Sequence, residues 1–429
     1  MTRHSVRCRF GGLSLFAAAA LLAGCATPQR PADPSGVLPT GPDAGDMDLS
    51  PFYRWPQPIS GGAGALLRIE PVAVQDDMAA RAAYRILYAS TDARWNSGAV
   101  PVSGMLFLPR GEPPEGGWPL LAWAHGTAGI ADACAPSWTG VRPRDATYMS
   151  RWLEAGFAVV ATDYQGLGGP GPHPYLDWRS EGRSVLDSVR AALAAKPEEV
   201  SNRVILAGQS QGSGAAVGAA MLVGEYAPRL GILGTVATGF GYSFPDGPVS
   251  LPERRSATQF LSYASSGLRD DAPPIDDIVT PAGRQLLEAA RQGCKGDIVQ
   301  RARELKVAEM AQAFSIPMEA VRDMAIPVAD MPVRPTGRPL LIATGLADAT
   351  TIPERQYANA SAMCAAGDTV IWRTYDGLGH DGAMHGSLPD SIAFARSLLA
   401  GREVASECGS FREPGPPGAR NPDAPFNDD

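Results

Sequence analysis

The chain has 429 residues, 45% of them hydrophobic, and a formal net charge of -8. Its length exceeds one ordinary domain, and its apolar share suffices for a large buried core. The acidic balance excludes a nucleic-acid partner, which needs a basic face.

The first residues read as an export signal. Arg3, Arg7 and Arg9 precede an apolar run from Leu13 to Ala23 that is too short to cross a bilayer. The run ends in Leu22-Ala23-Gly24-Cys25, which resembles a bacterial lipobox. That resemblance implies a signal peptide over 1–24, cleavage before Cys25 and lipidation of Cys25. Several acyl chains on one cysteine hold a protein on a membrane, whereas one chain binds only marginally. Removing the leader takes three arginines and no acids, so the mature chain is more acidic still. Residues 25–60 then read as the lipidated cysteine and a flexible tether, because Ala26 to Asp48 is rich in Pro, Gly and Asp. The expected location is that of an exported bacterial lipoprotein, facing the periplasm or in the outer membrane. An ordinary secreted chain is the alternative. With Cys8 and Cys25 set aside, Cys134, Cys294, Cys364 and Cys408 remain, an even number in an exported chain. They read as two disulfides with three pairings open.

Beyond the tether, Tyr84 to Ser90 and Gly98 to Leu108 read as antiparallel strands. Pro119 to Ala124 is a strand running into His125-Gly126-Thr127. Asp145 to Ala155 reads as a helix stopped by Gly156. Phe157 to Thr162 is a buried strand ending at Asp163, and Glu181 to Ala195 is a helix. Strands at Arg203 to Gln209, Gly231 to Thr238, Pro339 to Thr344 and Thr369 to Tyr375 follow. A helix near Pro353 to Ala365 and a last one over Ser387 to Leu399 complete the set. Apolar strands alternating with helices predict an α/β class with a mostly parallel central sheet and helices on both faces. No second independent core is evident. The core is predicted over 61–239 and 336–405. The stretch 240–335 interrupts the alternation with helix signals, such as Thr280 capping Pro281. It reads as a helical lid or cap insertion, or else as a stabilising decoration. After Arg402 the chain turns Pro- and Gly-rich and reads as extended, with residues 406–429 as a Pro-rich tail.

The most informative stretch is Gly208-Gln209-Ser210-Gln211-Gly212, a G-x-S-x-G pattern between an apolar strand and a small-residue segment from Ser213 to Ala220. A strand, sharp turn and helix at such a pattern hold the serine hydroxyl clear of the sheet. The hydroxyl becomes a useful nucleophile only beside a base, and the base needs a third group to fix its tautomer. With this turn the chain order is Ser, acid, His. Only His380 and His385 follow Ser210. His380 lies just past the strand ending near Tyr375, between Gly379 and Gly382, and is the predicted base; His385 falls near the last helix. Asp348 follows the strand before and is the predicted acid, with Asp376 as runner-up. Asp381 adjoins His380 and points elsewhere, and Asp163 precedes the turn and reads as a tie between loops. The oxyanion donors are predicted at the backbone N–H of Gln211 and of Thr127, with Gly126 as the alternative. His125 reads as shaping that loop.

Gly166-Leu167-Gly168-Gly169-Pro170-Gly171 fits G-x-G-x-x-G, but Pro170, Pro172 and Pro174 forbid the helix a dinucleotide site needs. It reads as a glycine-rich loop near the site. His380, Asp381 and His385 form no familiar ligand set, so neither metal nor cofactor is expected.

Taken together, His125-Gly126-Thr127, Cys134-Ala135-Pro136-Ser137, Asp163-Tyr164-Gln165-Gly166-Leu167-Gly168, Leu186-Asp187-Ser188-Val189-Arg190-Ala191, the serine turn and Gly379-His380 resemble the secretory lipase family of α/β-hydrolases, from about Ala65 to about Cys408. The resemblance implies an α/β-hydrolase fold, a helical lid, and hydrolysis of carboxylic esters or triacylglycerols by Ser210, Asp348 and His380. It also implies the pairs Cys134–Cys294 and Cys364–Cys408. The expected partners are an ester or lipid substrate and, through the N-terminal anchor, a membrane. A peptidase or acyltransferase on the same fold, and a lipid-anchored binding protein with an inactive triad, are the alternatives.

Overall fold

The computed structural model describes residues 36–241 and 256–427. The leader and Cys25 lie outside them. Strands β1 (Leu66–Val72), β2 (Ala80–Thr91) and β3 (Ala99–Pro109) form an antiparallel ribbon. Then come β4 (Trp118–Ala124), α1 (Pro136–Thr139), α2 (Pro143–Glu154), β5 (Ala158–Thr162), α3 (Trp178–Ala195), β6 (Val200–Gln209), α4 (Gln211–Tyr226) and β7 (Ile232–Thr238). The insertion holds α5 (Ser256–Ser262), α6 (Ile275–Ile278), α7 (Pro281–Gln292), α8 (Lys295–Glu304) and α9 (Met318–Ala329). The chain returns through β8 (Leu340–Gly345), α10 (Pro353–Ala365), β9 (Val370–Tyr375), α11 (His380–Gly386) and α12 (Leu388–Leu399).

The nine strands among the described residues join one sheet in the order β1-β2-β3-β5-β4-β6-β7-β8-β9. β3 meets β5 antiparallel, and every pair from β5 to β9 is parallel. The parallel strands are apolar through their centres, as in Val204–Ala207 and Leu340–Ala343, because both faces are covered there. On one face Leu206, Val160 and Ile342 pack against Val185 and Leu186 of α3, Ala216 and Ala220 of α4, and Met363 of α10. On the other, Ile205, Val159 and Leu341 meet Met149 and Trp152 of α2, Met384 of α11 and Phe394 of α12. The expected fold is the observed one. Parallel strands bring their carboxyl ends to one rim, where loops converge. Ala124, Gln209, Thr238, Gly345 and Tyr375 all end there.

Helix boundaries follow local chemistry. Gly156, at φ 87°, ends α2 by donating its N–H to Leu153 O. α3 starts three residues before the expected Glu181, because the Asp177 carboxylate accepts from the N–H of Arg179 and Ser180. Thr280 caps α7 as expected, accepting from Gly283 N–H.

Three expectations need correction. The tether is not flexible through residue 60: Phe52 and Tyr53 are buried against Leu87, and Asp46 accepts from Gly171 N–H at 2.8 Å. A few apolar and acidic anchors suffice to dock a segment whose composition is otherwise that of a linker. The Pro-rich tail is docked too: Glu407 N–H donates to Val370 O, Gly418 N–H to Leu346 O and Asn421 N–H to Gly377 O. Finally, the insertion has an apolar cluster of its own, with Phe260, Leu286, Leu287, Ile298, Phe314 and Val321 buried together. It sits on Ile130 and Tyr175 of the main body.

Candidate active site

Ser210 stands between β6 and α4 with φ 57° and ψ -121°, a conformation that L side chains avoid. A Cβ on Gly208 would collide with the Gly212 carbonyl, and one on Gly212 with the Ala124 carbonyl. Only glycine therefore lets the chain double back and α4 press onto the end of β4. The Ser210 N–H donates to Thr238 O at 2.9 Å, which ties the turn to the end of β7.

The next residue, Gly239, meets the imidazole of His380: a Cβ there would stand 2.7 Å from Cε1. The β7 end thus touches both the serine turn and the histidine. His380 opens α11, with Gly379 as its N-cap; it is the first residue of a short helix, not a loop residue. Its Nδ1 lies 2.8 Å from Asp348 Oδ2. Asp348 is fully buried. Its Oδ1 accepts the N–H of Thr350 and of Thr351, each at 2.7 Å, and its Oδ2 accepts Gln356 Nε2 at 2.9 Å. A carboxylate so held cannot turn away from the imidazole. Nδ1 then carries the proton, which leaves Nε2 as the basic nitrogen.

Neither alternative acid competes. Asp376 is exposed. Asp381 forms an ion pair with Arg144 and accepts Gln209 Nε2 at 3.0 Å. Burial opposes its ionisation, but the guanidinium of Arg144 outweighs that and holds its carboxyl below the usual range. His385 stacks on Phe426 at 4.4 Å, and burial pushes its imidazole down to about 4. Asp163 ties loops as expected, accepting Ser103 Oγ at 2.6 Å and Ser137 N–H at 3.0 Å, and burial raises its carboxyl to about 6.

Gln211 begins α4, so its N–H is one of the unpaired donors at a helix start. Thr127 is buried in the loop after β4. The Gly126 carbonyl is gripped twice, by His125 Nδ1 at 2.8 Å and by Arg142 at 3.1 Å. Arg142 also donates to Thr127 O at 3.1 Å. In a trans peptide the C=O of Gly126 and the N–H of Thr127 point opposite ways, so fixing the carbonyl fixes that N–H. His125 therefore shapes the loop, and burial holds it neutral, down to about 4. Behind Gln211 its side-chain amide donates to Glu181 Oε1 at 2.7 Å and meets His173 Nε2 at 2.9 Å. Gln356, Arg142, Glu181 and His173 were not singled out in the sequence. Gln356 lies eight positions after Asp348, and Arg142 eight after Cys134.

The bridges are Cys134–Cys294 and Cys364–Cys408. The first fastens the insertion beside the loop after β4, where Lys295 N–H also donates to Ala128 O at 2.8 Å. No helix starts within Gly166 to Gly171, and α3 begins only at Trp178. No group of three or more His, Cys, Asp or Glu that could hold a metal occurs among the described residues.

A sequence profile of the secretory lipase family matches residues 137–371. A secreted triacylglycerol lipase, LIP5, of Malassezia globosa is 24% identical over 360 residues, spanning 76% of this chain and 72% of that one. A Mycobacterium tuberculosis chain named "Probable inactive lipase" is 28% identical over 236 residues, covering 51% of each. A crystal structure of Candida antarctica lipase A in its closed state superposes with a TM-score of 0.64 at 19% identity, covering 86% of this chain and 89% of that chain.

Proposed function

This chain belongs to the secretory lipase family of α/β-hydrolases, and we propose that it cleaves carboxylic esters, triacylglycerols among them, through an acyl-enzyme on Ser210. His380 Nε2 takes the Ser210 proton as Oγ attacks the ester carbonyl. Asp348 keeps Nδ1 protonated and stabilises the imidazolium that forms. The N–H groups of Gln211 and Thr127 receive the negative charge that develops on the carbonyl oxygen. His380 then protonates the departing alcohol. A water activated by the same nitrogen releases the acid and restores the serine.

The observation that carries this is the β7 end, which holds the Ser210 turn by its Thr238 carbonyl and abuts His380 at Gly239. The test is a fluorophosphonate probe. It should label Ser210 in the folded chain and lose its target in Ser210→Ala, with ester turnover lost in parallel. A folded native chain that resists the probe rejects the mechanism and favours the second reading. In that reading the chain is a binding protein with a silent triad, as the name of the mycobacterial relative invites. Rates on p-nitrophenyl esters of graded chain length, beside their amides, separate an esterase or lipase from a peptidase.

The same proposal includes export and a lipid anchor on Cys25. Its support is the leader with its Leu22-Ala23-Gly24-Cys25 end, and two bridges that need an oxidising compartment. A clickable fatty acid fed to a bacterial host should mark the native chain and not Cys25→Ser. Equal release of both chains into the medium, unmarked, would leave plain secretion.

A further inference from the structure

The tail that follows the core is a strap across the loops of the acid and the histidine. Near its start the Cys364–Cys408 bridge fastens it to α10, and Glu407 N–H donates to Val370 O of β9. Midway, Gly418 N–H donates to Leu346 O, two residues before Asp348. Then Asn421 N–H donates to Gly377 O, three residues before His380. At the far end Phe426 takes φ 53° and stacks on His385 at 4.4 Å.

Next to it, Asn427 is 5% exposed and uses its amide fully. Its Oδ1 accepts the Gly379 N–H at 2.6 Å, and its Nδ2 donates to Gly377 O at 2.9 Å and to Asn421 O at 2.6 Å. Gly379 is the N-cap of α11, and His380 is the first residue of that helix. A Cβ on Gly382 would collide with the Asn427 amide, so the first turn of the helix rests on this side chain. The strap lies beyond residue 371, where the family match stops.

We propose that Asn427 is a positioning residue for catalysis: its amide clamps Gly377 and Gly379 and so sets where the His380 imidazole stands between Asp348 and Ser210. The assignment rests on the triad proposed above. A buried amide with three partners has one geometry, and a displacement of about 1 Å at a general base costs up to about a hundredfold in rate.

The test compares the native full chain with Asn427→Ala, each assayed well below its own melting midpoint on a soluble p-nitrophenyl ester. Asn427→Ala should lower kcat and the fluorophosphonate labelling rate of Ser210 together, by about tenfold, with KM unchanged. A weaker His380–Asp348 bond stabilises the imidazolium less, so the acid limb of kcat/KM should move to lower pH. Hydrogen exchange should quicken over residues 377–380 and stay native elsewhere. If Asn427→Ala does not fold, Asn427→Gln keeps the amide on a longer arm and supplies the same comparison. A variant with native kcat and a native acid limb overturns the assignment, as does a loss of rate that merely follows a loss of folded protein. A native chain that never labels at Ser210 overturns the proposed function instead, so the two failures are distinguishable.

Discussion

Gly239 and His380 are in contact: a side chain at 239 would begin 2.7 Å from Cε1 and 3.0 Å from Nδ1 of the imidazole. Gly239 also has φ 62°, a region that costs other L-residues roughly 1–2 kcal/mol. Gly239→Ala should therefore displace the ring as well as strain the backbone. The expected result is a fall in kcat of about a hundredfold with a small drop in melting midpoint. Ester kinetics beside a thermal melt check both.

Asp348→Asn should be far more damaging than Asp376→Asn. The first replaces the buried partner of His380 Nδ1 and disturbs the tautomer, for a loss on the order of 10⁴-fold in kcat, as in other serine triads. The second alters an exposed carboxylate, with an expected change within about twofold. The reverse ranking would move the acid one strand along.

Arg142→Met should lower kcat with KM unchanged, because Arg142 orients the proposed Thr127 N–H donor from behind, through the Gly126 and Thr127 carbonyls that it grips. Losing a whole oxyanion donor costs about 10²–10³-fold, and losing its brace should cost less, about tenfold. A rise in KM alone would place Arg142 in substrate binding.

Asp132 predicts a pH dependence of stability. Burial raises its carboxyl from an ordinary 3.8 to about 8. The folded chain then binds this proton more tightly than the unfolded chain does. The resulting stability is present in full below the unfolded value of 3.8 and is lost as pH climbs through about 8. Asp132→Asn removes that dependence. Its melting midpoint should fall less than the native one between mildly acidic and mildly alkaline buffer. Parallel curves for the two chains would show that Asp132 does not carry the effect.

Ser210, His380 and Asp348, the proposed nucleophile, base and acid, were legible because each lies just past a strand whose apolar run is itself legible, and because the serine turn imposes a chain order. The loop of the proposed donor Thr127 was legible for the same reason. Gln356, Arg142 and Asn427 were not. Each acts by a hydrogen bond to a residue eight, sixteen or forty-eight positions away, and a polar side chain carries no local sign of its partner. Strand β1 was missed because its half-buried pattern, interrupted by Arg68 and Glu70, lacks an apolar run. The docked tether and tail were misread for a related reason. Composition reports average polarity, whereas a few well-placed groups such as Phe52, Asp46 and Asn427 decide whether a segment docks.

The Cys134–Cys294 stitch also limits how the insertion can move. It joins the helical insertion to the body beside Ala128 and Gly129, within a few residues of Thr127. An insertion sewn down at that margin can pivot there but cannot peel away from it. The proposed Thr127 donor is thus braced from the insertion side as well as by Arg142. Substitutions in the insertion away from Cys294 should therefore leave turnover of a small soluble ester unchanged.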